Sequence, residues 1–277
     1  MDWLTAVILG IIQGITEWLP ISSSGHFIVV QHLLGVEVPF SFNIGLHFAT
    51  MLVITLFFRR EILAILKTIL RIFSDVLHGV GLKKAATSTP ERKYAILILI
   101  SIIPTGIIGV IVDLYIIDLY IKTLLPVGIA FIIQGLLNFS TRFGKEKRDK
   151  VEMNIKDAIA IGAMQGLASF SGLSRSGSTI AMGVARGIKR EDAARFSFIA
   201  SLPAFLGATL LELREITGVS GNIDINVMLI GGLTAFVVGL LSLKLLMWIL
   251  KGKKFYLFSL YSFGFAGFVL ALYLLGL

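Results

Sequence analysis

QGITEWLPISSSGH, residues 13–26, lies inside an apolar run from Leu4 to Leu34 and interrupts it with Glu17, Pro20 and the consecutive serines Ser22, Ser23 and Ser24. Proline removes a helix N–H, and serine hydroxyls compete for backbone groups, so one unbroken helix does not pass through this stretch. It reads instead as a helix, a turn and a second helix. Sliding the sequence by 152 positions sets it against QGLASFSGLSRSGS, residues 165–178, which breaks a second apolar run from Ala158 to Ile188. Gln13/Gln165, Gly14/Gly166, Ser22/Ser174, Ser24/Ser176 and Gly25/Gly177 are identical, while Ile15/Leu167, Trp18/Phe170 and Ile21/Leu173 keep their character. Such self-similarity at a fixed offset points to duplication. The reactive groups are divided between the copies: Glu17 faces Ser169, Ser23 faces Arg175, and His26 faces Ser178.

Around these hairpins the composition is that of a protein dissolved in lipid. The 277 residues are 56% hydrophobic and 15% charged, too apolar for a surface in water. Six further runs approach the length needed to cross about 30 Å of hydrocarbon: Phe42 to Phe58, Tyr94 to Val112, Leu124 to Phe139, Phe196 to Leu211, Val227 to Leu250 and Phe255 to Leu275. The start has no basic leader and no small-residue cleavage site, so no cleavable signal peptide is expected. Cysteine is absent, which excludes disulfides, thiolate metal sites and thiol catalysis.

The formal charge of +8 reflects membrane orientation rather than nucleic-acid binding. Of the 25 Lys and Arg, 20 fall in four segments: Arg59 to Lys93, Arg142 to Lys156, Lys189 to Arg195, and Lys251 to Lys254. The connections near Asp113 to Lys122 and Glu212 to Asp224 carry one each. The positive-inside rule places the four basic segments in the cytoplasm. They agree only if each broken stretch enters and leaves on one side, as a re-entrant hairpin. Both termini then lie outside. Each half, 1–141 and 142–277, holds one hairpin and three spans, so the halves have opposite orientations, an inverted repeat. The expected fold is an all-α polytopic membrane protein with six transmembrane helices and two re-entrant helical hairpins. Within the first basic segment, Ile62 to Leu77 has helical apolar spacing with Lys67 and Arg71, predicting a helix at the cytoplasmic interface.

In both hairpins a Ser-rich turn opens a new helix whose free N–H groups face the tip. Helix N-termini favour anions, and irregular backbone at membrane depth survives where it lines a cavity. Arg175 adds a planar, permanently charged donor suited to phosphate. An ionisable Glu17 at that depth suggests function, the alternative being a structural ion pair with Arg175. His26 follows the serines and is expected to face the same pocket as general acid or base, the alternative being a satisfied core histidine. His47 could touch the site; His78 belongs to the interfacial segment. Ser22 and Ser24 have serine counterparts and look like frame residues, which leaves Ser23 as candidate nucleophile or phosphate ligand. Gln13, Ser22, Ser24, Gly25, Ser174, Ser176, Gly177 and Thr179 complete the expected binding set.

These motifs, Gln13-Gly-Ile-Thr-Glu17 with Leu19-Pro20-Ile21-Ser22-Ser23-Ser24-Gly25-His26, and Gly172-Leu173-Ser174-Arg175-Ser176-Gly177-Ser178-Thr179, resemble those of the undecaprenyl pyrophosphate phosphatase family, also associated with bacitracin resistance. The resemblance covers nearly the whole chain. Gln13 stands at a position often Glu, and Ser171 where Pro is common. The resemblance implies hydrolysis of an undecaprenyl or other polyprenyl pyrophosphate to the monophosphate and inorganic phosphate, recycling the lipid carrier for cell-envelope glycan synthesis. It implies a divalent cation, Mg²⁺ or Ca²⁺, with Glu17 as base or metal ligand beside Gln13. Ser23, His26 or water would be the nucleophile and Arg175 the phosphate clamp. Membrane lipids are the other expected partner, and a homodimer is left open. The expected location is the plasma membrane, with the site open to the outer face. The competing reading is a transporter or flippase for anionic lipids, since inverted repeats with helix ends near the midplane recur there.

Overall fold

The computed structural model describes residues 1–36, 38–115, 123–216 and 224–276. Parts of the two weakly charged connections, 116–122 and 217–223, lie outside the described residues. Among the described residues the chain is helical, with no strand beyond an isolated bridge between Arg148 and Ile188.

The first broken stretch folds into α1 (Trp3–Thr16) and α2 (Ser23–Leu34). At about 1.5 Å per residue these are roughly 21 and 18 Å long, too short to cross the hydrocarbon singly. The second folds the same way, into α8 (Ile155–Leu167) and α9 (Arg175–Ala185). The repeat extends to the caps. Asp2 accepts the Thr5 N–H to start α1, and Asn154, 152 positions on, accepts the Lys156 and Asp157 N–H groups to start α8. Ser22 accepts from Gly25 N–H and Ser174 from Gly177 N–H, each at 3.2 Å. Each cap satisfies one of the orphan donors of a helix start.

Between the hairpins run α3 (Phe40–Phe57), α4 (Arg59–Leu77), α5 (Leu82–Thr87), α6 (Pro90–Tyr115) and α7 (Leu124–Ser140). After the second hairpin come α10 (Arg190–Ile216), α11 (Ile225–Lys251) and α12 (Phe258–Leu274). All six expected spans are helices. Four, α6, α7, α11 and α12, are long and apolar enough to cross a membrane; α3 qualifies only with α4 as a pair bent by 81°, and α10 does not qualify on its described residues. The bend turns α4 away from α3, leaving Leu63, Leu66, Leu70, Phe73 and Leu77 exposed along it. This is the amphipathic helix expected between Ile62 and Leu77.

Large apolar side chains also stand exposed around the bundle, among them Ile103, Leu233, Leu241, Trp248 and Leu260. Contiguous apolar surface on this scale is tolerated against acyl chains and not against water, so the protein is a multi-pass membrane protein. Its largest buried cluster joins Trp18 to Phe196, Phe198, Ile180, Leu243 and Leu246 and packs the hairpins against the later spans.

The first helix of each hairpin lies along a span through a seam of small residues. A Cβ on Gly14 would stand 2.8 Å from the Ala235 carbonyl oxygen, and one on Gly166 would stand 2.9 Å from that of Thr105. Gly10 and Gly162 make the same approach one turn earlier, against Gly231 and Ser101. Small residues let helix backbones come this close without side chains between them.

Candidate active site

The two hairpin tips meet. Pro20 of the first abuts the start of α9 at Gly177, and the Leu19 carbonyl accepts from the Ser174 and Ser176 hydroxyls at 3.4 Å. What fixes their register is an amide pair on α7. Gln134 Oε1 accepts from the Ser174 N–H at 2.9 Å and the Ser178 hydroxyl at 3.2 Å, and Gln134 Nε2 donates to Asn138 Oδ1 at 2.9 Å. Asn138 Nδ2 then donates to the Pro20 carbonyl at 2.8 Å. Both amides are fully buried, so one span holds both tips. Nothing in the sequence singled out this pair, because lone amides on an apolar helix carry no motif; their spacing of one turn was the available signal.

Across the tips Arg175 donates to Glu17 Oε1 at 2.8 Å, joining the two copies of the repeat. Ser23 donates its hydroxyl to Glu17 Oε2 at 2.6 Å, and Gln13 donates to the same oxygen at 3.2 Å. The guanidinium lies 4.1 Å from the Phe205 ring centroid, a cation–π distance that holds its plane. Ser22 has φ +67°, a left-handed conformation costly for a residue with a Cβ. That turn directs Ser23 back towards Glu17.

These groups line a cavity of about 360 Å³. Of the expected catalytic set, Glu17, Ser23 and Arg175 border it, and of the expected binding set Ser24 and Ser174 do. Gln13 stands behind Glu17, buried. The remaining expected ligands do not border the cavity. Ser22 and Ser176 face the turns, Thr179 bonds Ser197 and the Arg175 carbonyl, and a Cβ on Gly25 would strike the Phe131 ring. Gly177 fits beneath Gln134 and Pro20 in the same way.

His26 departs from expectation: it does not border the cavity. Its Nδ1 lies 2.6 Å from the Ser22 carbonyl, which can only accept, so Nδ1 carries the proton; Nε2 then accepts from the Tyr261 hydroxyl at 2.6 Å. The ring stacks on Phe265 at 4.1 Å and meets Phe131 edge-on. The aromatic wall supplied by α7 and α12, residues distant in sequence, draws the imidazole away from the serines. His47 borders the cavity in its place, with Thr16, Ser169, Phe205 and Thr209.

A carboxylate bonded to a hydroxyl, a guanidinium and two capped helix starts around one cavity form an arrangement suited to a phosphate ester and to transfer of its phosphoryl group. Comparison with known proteins agrees with that chemistry. Residues 6–268 match the family described as bacitracin resistance protein BacA. The chain is 40% identical over 263 residues to a protein of Methanosphaera stadtmanae named undecaprenyl-diphosphatase, covering 94% of both chains. Proteins of the same name from Alkaliphilus metalliredigens and Korarchaeum cryptofilum are 38% and 35% identical over 266 residues, each covering 94% or more of both chains. With a match across nearly its full length and relatives of this identity, the chain belongs to the BacA, or bacitracin resistance protein, family.

Proposed function

We propose that this membrane protein is an undecaprenyl-diphosphatase, hydrolysing a polyprenyl pyrophosphate to the monophosphate and inorganic phosphate. The observation that carries the reading is the joining of Glu17, Ser23 and Arg175 by two hydrogen bonds at the rim of one cavity, on a chain of this family.

In the reaction, Ser23 Oγ attacks the terminal phosphorus. The Oγ–P bond forms as the bond from phosphorus to the bridging oxygen breaks, and the hydroxyl proton passes to Glu17 Oε2. The electron pair stays on the bridging oxygen, which takes that proton from Glu17 and leaves as the monophosphate. Water then attacks the phosphoserine, Glu17 takes its proton and returns it to Ser23 Oγ, and inorganic phosphate departs. One water is consumed. Arg175 and the starts of α2 and α9 face the charge that spreads over the transferring oxygens. His26, with both ring nitrogens engaged, orients the turn rather than the substrate.

Among the described residues Glu17 is the one carboxylate bordering the cavity, and no three His, Asp or Glu side chains gather as a metal site. A single carboxylate beside phosphate oxygens suits Mg²⁺, which is commonly bound through one or two carboxylates plus substrate phosphates. Glu17, with Gln13 behind it, would hold the ion, which when bound neutralises phosphate charge.

The paired small-residue seams and the matching caps support reading 1–141 and 142–277 as inverted repeats with six spans and two re-entrant hairpins. The basic segments support placing both termini outside, and that topology together with the family supports a plasma-membrane site open to the outer face. Phosphate release from a prenyl pyrophosphate in detergent micelles tests the activity, since a lipid transporter needs two leaflets and releases none. Glu17→Gln and Arg175→Ala should each lower the rate by about 10²-fold or more. Wild-type turnover in both variants would refute the site. Peptide mapping of trapped enzyme should find phosphate on Ser23.

A further inference from the structure

We infer that His47 binds the phosphate that remains on the lipid, the one nearer the prenyl chain, and so helps expel the monophosphate; the inference rests on the phosphatase reading above.

The cavity has two sides of different origin. Glu17, Ser23, Ser174 and Arg175 come from the hairpin tips, where Glu17 and Ser174 are buried. The facing wall comes from α3 and α10, which supply His47, Phe205 and Thr209. Beside that wall the same helices turn apolar residues outward: Phe48 is 47% exposed and Leu206 is 49% exposed. A prenyl chain has to lie in lipid while its head group enters the cavity. The terminal phosphate then reaches the hairpin side, where Ser23 attacks, and the phosphate attached to the chain lies against α3 and α10.

His47 is the one imidazole bordering this cavity, and among the described residues its ring makes no hydrogen bond. His26 has none to spare. Charge also calls for a further donor. The Arg175 and Glu17 charges offset each other at 2.8 Å, so a pyrophosphate with two or more negative charges meets little net positive charge from that pair. An imidazole N–H directed at a non-bridging oxygen of the proximal phosphate holds the leaving group as negative charge develops on its bridging oxygen, a contact that strengthens towards the transition state.

Sulfur substitution separates the two phosphates. Phosphate or thiophosphate release would be followed in micelles with farnesyl pyrophosphate and with analogues carrying one non-bridging sulfur on either the proximal or the terminal phosphate. Wild-type protein should be slowed by sulfur at each position. His47→Ala should lower kcat/KM for the all-oxygen substrate by about 10- to 100-fold, the range for a hydrogen bond to a charged group. In that variant the proximal-sulfur effect should shrink towards unity while the terminal-sulfur effect persists. His47→Gln, which keeps an N–H donor, should recover part of both the rate and the proximal effect. Because each effect is a ratio within one preparation, partial misfolding does not alter it. An unchanged proximal effect in His47→Ala, or none in the wild type, overturns the inference while leaving the phosphatase reading intact. Wild-type protein that releases no phosphate, or Arg175→Ala that keeps the wild-type rate, overturns the reading itself.

Discussion

Replacing Gln134 by Leu keeps side-chain volume on α7 but removes the contacts that set the two hairpin tips against each other. Two buried groups lose their partners: the Ser174 N–H, which bonds Gln134 Oε1 at 2.9 Å, and Asn138 Oδ1, which bonds Gln134 Nε2 at 2.9 Å. The Ser178 hydroxyl can turn to the carbonyl one helical turn back, so it need not be counted. At about 1–3 kcal/mol for each orphaned buried group, the variant should lose about 2–6 kcal/mol of stability. Function should suffer separately. Ser174 caps the helix that opens with Arg175, and a shift of roughly 1 Å in a reacting group can cost about 10²-fold in rate. Gln134→Glu keeps the accepting oxygens and should fall between the Leu variant and wild type. Thermal unfolding in detergent reports the stability, and phosphate release per folded protein reports the rate. A Leu variant within twofold of wild type in rate, with an unchanged Tm, would refute the idea that α7 sets the register of the tips.

Other substitutions probe single contacts. Phe205→Ala removes the ring under Arg175, and a desolvated cation–π contact of about 1–2 kcal/mol corresponds to a rate loss of roughly 5- to 30-fold, measurable by phosphate release. Gly166→Leu forces a side chain into the seam with α6, where even a Cβ would stand 2.7 Å from that of Ile108; a loss of about 1–3 kcal/mol is expected in thermal unfolding. Tyr261→Phe keeps the stacking on His26 but leaves Nε2 without its donor, so Tm should fall by a few degrees while the rate stays within about threefold; a drop as large as that of Glu17→Gln would put His26 back in the chemistry.

The hairpins were legible because Pro, Gly and Ser are local instructions, and because one offset of 152 residues brought both copies into view. The same duplication pointed to Glu17, Ser23 and Arg175, which differ from their counterparts and which the structure joins at hydrogen-bond distance. His26 stands off the cavity where the sequence placed it on the rim, since its direction depends on Phe131, Tyr261 and Phe265, more than a hundred residues away in the chain. Part of the expected binding set stands off the cavity for a related reason: Gly25 and Gly177 carry the look of phosphate-loop glycines, and each makes room for a neighbour's side chain. His47, Gln134 and Asn138 sit on plain apolar helices without any motif around them. Their part in the site is settled by which helices pack together, and the sequence pattern does not encode that pairing.

The contact between Arg175 and Glu17 bridges 158 positions of the chain. At ribosomal speeds of about 5–20 residues per second, the guanidinium emerges roughly 8–30 s after the carboxylate. Through that interval the newborn first hairpin has only Gln13 and Ser23 of its own to bond Glu17. The clasp therefore cannot close until the second hairpin has been made, and a nascent chain stalled before it should present an open, unfinished carboxylate to quality-control proteases.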